Sequence, residues 1–345
     1  MRHGPEGIGS IVVGALIAAV FTAAGAEAPK PKPPAPPSAA KPDGAKTTAP
    51  ESVLRFLPKV RPMSTYSLGA RFEIGTKNVT FEAPDAYKPG FEFWSKRMKG
   101  QKRSEVYEMT TMTQEANDSG LFPFSRTVPQ FDLEIQREGE TMASPPDTEK
   151  SVATLVFEGT LDRFGNVKAF KKTAGSDDAE VETLAIPEIS RLFPEADGPH
   201  DYQVGQGFKE ERAVRLPTKL GIAGLENVTY KATREYTLKS IQGGLATFDV
   251  KITYADDPAF KPGAQNTSLH ITGGGSGTAV FEVGRGVFQE SRLPSSMHID
   301  IEAPLRPLPD HPETAKALTG KTHVDLDLLV AGRQTVRRVW GDDTD

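Results

Sequence analysis

From about Tyr66 onward, apolar and polar residues alternate with a period of two, the spacing that puts successive side chains on opposite faces of a strand. The clearest run, Tyr230-Lys231-Ala232-Thr233-Arg234-Glu235-Tyr236-Thr237-Leu238, leads into Gln242-Gly243-Gly244. A second run follows at once, Phe248-Asp249-Val250-Lys251-Ile252-Thr253-Tyr254. Two alternating runs joined across Gly-Gly predict a β-hairpin. Similar stretches occur near Ser104–Gln114, Phe131–Gln136, Ala153–Glu158, Val167–Phe170, Met297–Glu302 and His323–Val330.

The two halves of this strand-rich region echo each other. Asp85-Ala86-Tyr87-Lys88-Pro89-Gly90 with Phe93 matches Asp201-Tyr202-Gln203-Val204-Gly205 with Phe208. Phe131-Asp132-Leu133-Glu134-Ile135 matches Phe248-Asp249-Val250-Lys251-Ile252, and Thr154-Leu155-Val156-Phe157-Glu158 matches Thr278-Ala279-Val280-Phe281-Glu282. Three matches in the same order predict a duplicated unit of about 120 residues, too long for a solenoid repeat. Between the halves the period changes. Ser176 or Asp177 can cap a helix, Asp178, Glu180 and Glu182 suit its positive end, and Val181, Leu184 and Ala185 make an apolar stripe. Pro187 should kink it before Ile189, Leu192 and Phe193 continue the same face. A second short helix is expected from Pro312 to Gly320.

The expected fold is therefore mainly β (α+β). Duplicated antiparallel meanders would form a large curved sheet or half-barrel with one or two packed helices. The domain spans 51–340, its halves about 66–175 and 199–335, with the helix about 177–193 between them and an acidic tail at 341–345. The amino end reads differently. Arg2 precedes an uncharged run from Gly7 to Ala26 with an apolar centre at Ile11–Phe21, and Ala24-Gly25-Ala26 supplies a small-x-small cleavage pattern. Residues 1–26 are thus expected to be a signal peptide, with an uncleaved anchor as the alternative and the only expected membrane contact. Residues 27–50 carry eight prolines among lysines, favouring extended polyproline II over a core and predicting a disordered spacer.

The composition narrows the function. The 345 residues include no cysteine, which excludes disulfides, thiolate nucleophiles, Cys-ligated zinc and a lipidated cysteine. A sizeable exported domain without disulfides fits the bacterial envelope, in the periplasm or outside the cell. Net charge is −5 with scattered Lys and Arg, so nucleic acid is not an expected partner.

With its alternating strands, the Leu192-Phe193-Pro194 helix end and Val204-Gly205-Gln206-Gly207-Phe208, the region 66–335 resembles an uncharacterised family of exported bacterial β-rich proteins, a domain of unknown function. Those proteins usually carry Gly-x-x-Trp where this chain has Phe208. The layout is also similar to periplasmic lipoprotein carriers of the unclosed-barrel type. That similarity implies a curved sheet and helical lid around an apolar cavity.

The sharpest chemical pattern is a pair of look-alike strands, His298-Ile299-Asp300-Ile301-Glu302 and His323-Val324-Asp325-Leu326-Asp327. Each places one imidazole and two carboxylates on one face. As antiparallel neighbours they would gather His298, Asp300, Glu302, His323, Asp325 and Asp327 on one surface, a donor set for Ca²⁺ or a transition metal. Carboxylates directly opposite one another repel, so a cation or a shifted register would be required. The plainer reading is the wet face of an amphipathic sheet, with Ile299, Ile301, Val324, Leu326 and Leu328 buried beneath. Gly273-Gly274-Gly275-Ser276-Gly277-Thr278 lacks the Gly-Lys-Ser/Thr of a phosphate loop and is expected to be a hairpin tip or bulge. No cofactor other than a divalent cation is implied. The leading expectation is an exported, non-catalytic binding protein holding a lipid or hydrophobic small molecule between sheet and helices. A structural module binding envelope proteins through sheet edges comes second, and a hydrolase using the His/Asp strands third.

Overall fold

The computed structural model describes residues 53–137, 140–143, 146–175, 198–215, 228–262, 267–305, 311 and 318–338. The signal and spacer segments, the helix expected at 177–193 with its Leu192-Phe193-Pro194 end, and the acidic tail lie outside the described residues. In chain order the elements are β1 (Val53–Phe56), β2 (Ser64–Glu82), α1 (Lys88–Met98), β3 (Lys102–Thr113), β4 (Phe122–Arg137), β5 (Glu140–Ala143), α2 (Pro146–Ala153) and β6 (Val156–Leu161). There follow β7 (Val167–Ala174), β8 (His200–Gln203), β9 (Gly207–Arg215), β10 (Thr229–Gln242), β11 (Leu245–Asp256), β12 (Ser268–Glu282), β13 (Val287–Pro304) and β14 (Thr319–Arg338).

Among the described residues one antiparallel sheet runs in the order β7-β6-β4-β3-β2-β14-β13-β12-β11-β10-β9, with β5 added to β4. Apart from β5, which pairs β4 from off the main path, and β8, which pairs β1, successive strands are neighbours within each half, so each half runs as a meander, and the last strand, β14, returns to pair with β2. The sheet is curved but not closed, with β7 and β9 as its edges. The expected β10–β11 hairpin is present, with Gln242 opposite Leu245 and Gly243 and Gly244 at φ 58° and 78°. Such left-handed values suit glycine and match the twist of the strands they join.

Alternation sorts the two faces. Tyr230, Ala232, Tyr236 and Leu238 of β10 point into the fold, while Glu235, Thr237 and Lys239 are exposed. Inward residues form two apolar clusters at opposite ends of the strands. One joins Phe131 and Leu133 of β4 to Val214 of β9 and Ile299 of β13, so the curvature brings both halves onto one core. The other gathers Phe248, Phe281 and Phe288 around Phe56 of β1, with ring centroids as close as 4.7 Å. The small β1–β8 ribbon covers that end.

Two helices sit in the first half, neither of them among the elements read from the sequence. Pro89 stands in the first turn of α1, which buries Phe91 and Met98, stacks Phe91 on Phe81 and is tied down by the Ser95 hydroxyl donating to the Val79 carbonyl at 2.8 Å. In α2, Val152 is fully buried in the larger cluster. The 85–93 segment therefore forms a 3-10 turn and α1, whereas its supposed counterpart at 201–208 is extended in β8 and β9. The other two sequence echoes fall on strands in both halves, β4 with β11 and β6 with β12.

One further expectation fails, and another falls largely outside the described residues. Gly320, read as a helix stop, belongs to β14 opposite Ala303; the rest of that expected helix, 312–317, lies outside the described residues. The Gly273–Gly277 run is no hairpin tip. It lies mid-strand in β12, paired on both sides. A Cβ at Gly273, Gly274, Gly275 or Gly277 would strike the carbonyl oxygens of Ser296, Ile252, Pro294 or Arg292. Glycine here lets neighbouring backbones close in, as strong sheet curvature demands.

Candidate functional site

Strands β13 and β14 are antiparallel neighbours, as the metal pattern required, and the register decides which groups meet. His298 stands opposite Asp325, Asp300 opposite His323, Glu302 opposite Lys321, and Ser296 opposite Asp327. Each histidine thus faces a carboxylate, and the repulsion expected between facing carboxylates is avoided. Ile299, Ile301, Val324, Leu326 and Leu328 are buried on the other face.

His298 Nδ1 lies 2.6 Å from Asp325 Oδ1, and His323 Nε2 lies 2.9 Å from the same oxygen. His323 Nδ1 is held 2.6 Å from Asp300 Oδ1. The two imidazoles lie nearly parallel, centroids 6.3 Å apart. Donor atoms of His298, His323 and Asp325 all fall within 4.8 Å of one another. Of the six residues named from the sequence, these three converge and Asp300 orients one of them. Glu302 and Asp327 do not join; they lie 4.0 Å from Lys321 and 2.7 Å from Lys77.

The row continues onto β12 and β11. His270 of β12 stands opposite Asp300, and its Nδ1 lies 2.6 Å from Asp256 Oδ2 at the end of β11. The other Asp256 oxygen accepts the Ile271 amide at 2.5 Å. Asp257, in contrast, acts as a turn residue, accepting from the Ala259 amide and the Thr229 hydroxyl. The missed signal was Leu269-His270-Ile271, one more titratable residue between aliphatic ones. An open groove of about 310 Å³ runs beside the row, lined by His270, Asp300, Glu302, Lys321, His323 and Glu82.

The row tunes its own charges. Its hydrogen bond to Asp256, with the attraction between the charges, holds His270 above the ordinary histidine range. The bond to Asp300 does the same for His323, against partial burial. His298 and His323 together hold the Asp325 carboxyl below its usual range. Two imidazoles and a carboxylate suit a first-row transition metal better than Ca²⁺, which prefers oxygen alone.

The concave face, where a lipid was expected, is filled by the two apolar clusters over most of its length, and a cavity of about 150 Å³ lies near the β1 end.

No family model matches the chain, and no curated protein matches it. Among solved structures it is similar, at 8% identity, to the outer membrane protein OprG from Pseudomonas aeruginosa, over 81% of this chain and 99% of that one, with a TM-score of 0.22. The outer membrane protein OpdK from the same organism aligns at 8% identity over 79% of this chain and 99% of its own, with a TM-score of 0.14. Likeness this slight carries no argument about fold or function. What stands is the mainly β class read from the strand order itself. The polarity of β10 to β14 is the reverse of a lipid-facing barrel, with charged residues such as Glu235, Lys251 and Lys321 outward and apolar ones inward. Among the described residues no helix is long and apolar enough to cross a membrane.

Proposed function

We propose that the chain is an exported, non-catalytic binding protein of the bacterial envelope whose outer sheet face holds a divalent transition-metal ion between His298, His323 and Asp325. The observation that carries this is the convergence of those three donor sets within 4.8 Å on adjacent rigid strands. Export rests on the apolar run ending in Ala24-Gly25-Ala26 and on a large domain without cysteine. Binding is favoured over catalysis because the donors sit on an open, water-exposed face rather than in a cleft that excludes water. Asp300 would fix the orientation of His323 from behind, the usual role of a carboxylate supporting a metal-bound imidazole.

Calorimetric titration of the full chain with Zn²⁺ or Ni²⁺ tests this. One ion should bind per chain, and a hundredfold excess over Kd should add about 3 kcal/mol to stability, raising Tm. Replacing both His298 and His323 by Ala should abolish the effect, and Asp300→Asn should weaken binding by about 10–100-fold. Identical melting curves in chelator and in excess metal would sink the proposal.

A further inference from the structure

The cavity of about 150 Å³ inside the sheet is walled by strands from both halves of the chain. Leu68 of β2, Met109 of β3, Leu161 of β6, Val167 of β7 and Phe288 of β13 supply apolar surface. The charges beside them are already engaged. Arg212 of β9 pairs with Glu210 on the same strand. Arg126 of β4 donates from Nε to the Thr111 hydroxyl at 2.8 Å, and its guanidinium lies 5.4 and 5.8 Å from the ring centres of Phe124 and Phe170. Lys59 is exposed to water. What the wall has left to offer is hydrogen bonding without charge. Tyr66 of β2 accepts the Arg61 amide at 2.8 Å, while its own O–H meets no acceptor among the described residues. Burial raises its pKa, so the phenol keeps that proton at neutral pH. Gln334 of β14 adds a half-buried side-chain amide.

A sheltered O–H gains from an acceptor carried by a guest. A charged guest would give up its hydration for partners that are already taken, which is costly. A cavity of this size takes a benzene-sized molecule and leaves no room for a lipid. Size, apolar wall and an unspent donor together select a small uncharged molecule with one acceptor atom.

We propose that this cavity binds an uncharged, ring-sized organic molecule such as a cyclic ketone, its oxygen taking the Tyr66 O–H and its carbons packing against Leu68, Met109, Leu161 and Phe288. The site lies inside the sheet, independent of the histidine row on the outer face.

The test is titration of the full chain with cyclohexanone at neutral pH, followed by NMR, beside benzene and cyclohexanecarboxylate. Cyclohexanone should bind saturably, and the charged cyclohexanecarboxylate at least roughly tenfold more weakly. Tyr66→Phe removes one hydrogen bond and should weaken cyclohexanone about three- to tenfold, while benzene, which has no acceptor to lose, binds as before. Because that change also leaves the Arg61 amide without its partner, Leu161→Trp provides a second arm. It fills the cavity from the apolar side and should block both guests while a cooperative melt is retained. Absence of cyclohexanone binding overturns the proposal, as does equal binding of cyclohexanecarboxylate, a Tyr66→Phe change that affects the two guests alike, or cyclohexanone binding unchanged in Leu161→Trp.

Discussion

At the scale of single residues, the outer row works by pairing each imidazole with a carboxylate on the next strand. His270 and His323 should titrate above the ordinary histidine value of about 6.5, readable by NMR of the ring protons in chelator. Asp256→Asn should bring His270 back toward that value and leave His323 raised. The linkage has a definite sign. A raised folded pKa means the pairing stabilises fully below the unfolded value and is lost as pH climbs through the raised one. The wild-type advantage over Asp256→Asn should therefore be seen in mildly acidic buffer and vanish in alkaline buffer. On the inner face size matters more than charge. Phe281 is fully buried against Phe56 and Phe288, so Phe281→Ala should cost about 3–5 kcal/mol in urea unfolding.

At the scale of elements, the sheet's two edges carry a dense row of charge, Lys168, Lys171 and Lys172 on β7 and Lys209, Glu210, Glu211 and Arg212 on β9. Such edges discourage further strand pairing. Replacing Lys171 and Lys209 by Val should raise self-association, detectable by light scattering, with little change in Tm. The same elements show what the sequence could and could not reveal. Strands β10 and β11 were legible because period-two alternation and Gly-Gly are local signals. So was the shared face of His298, Asp300 and Glu302. Which residue would stand opposite His298 was not, because register is set by the distant turn and by inner-face packing. Helix α1 was hidden by Lys88-Pro89-Gly90, which reads as a turn until Phe91 and Met98 find the core. The glycines of β12 misled because their reason lies in neighbouring backbones rather than in their own strand.

At the scale of the whole molecule, one core draws on both meanders, from Tyr107 and Phe131 to Tyr230 and Ile299. The halves should accordingly melt together, giving one calorimetric transition whose van't Hoff and calorimetric enthalpies agree; two resolved transitions would show separable halves. The β2–β14 pairing that joins them also has a temporal meaning. Its partners, from Ser64 with Arg338 to Glu82 with Lys321, lie about 240 to 270 residues apart in the chain. Contacts of such span are slow to form. As the polypeptide emerges from the ribosome, β2 must wait for nearly everything after it, with β3 as its sole sheet neighbour. Pulsed hydrogen exchange during refolding should find the β2–β14 amides protected last, so the strand that completes the sheet also times its completion.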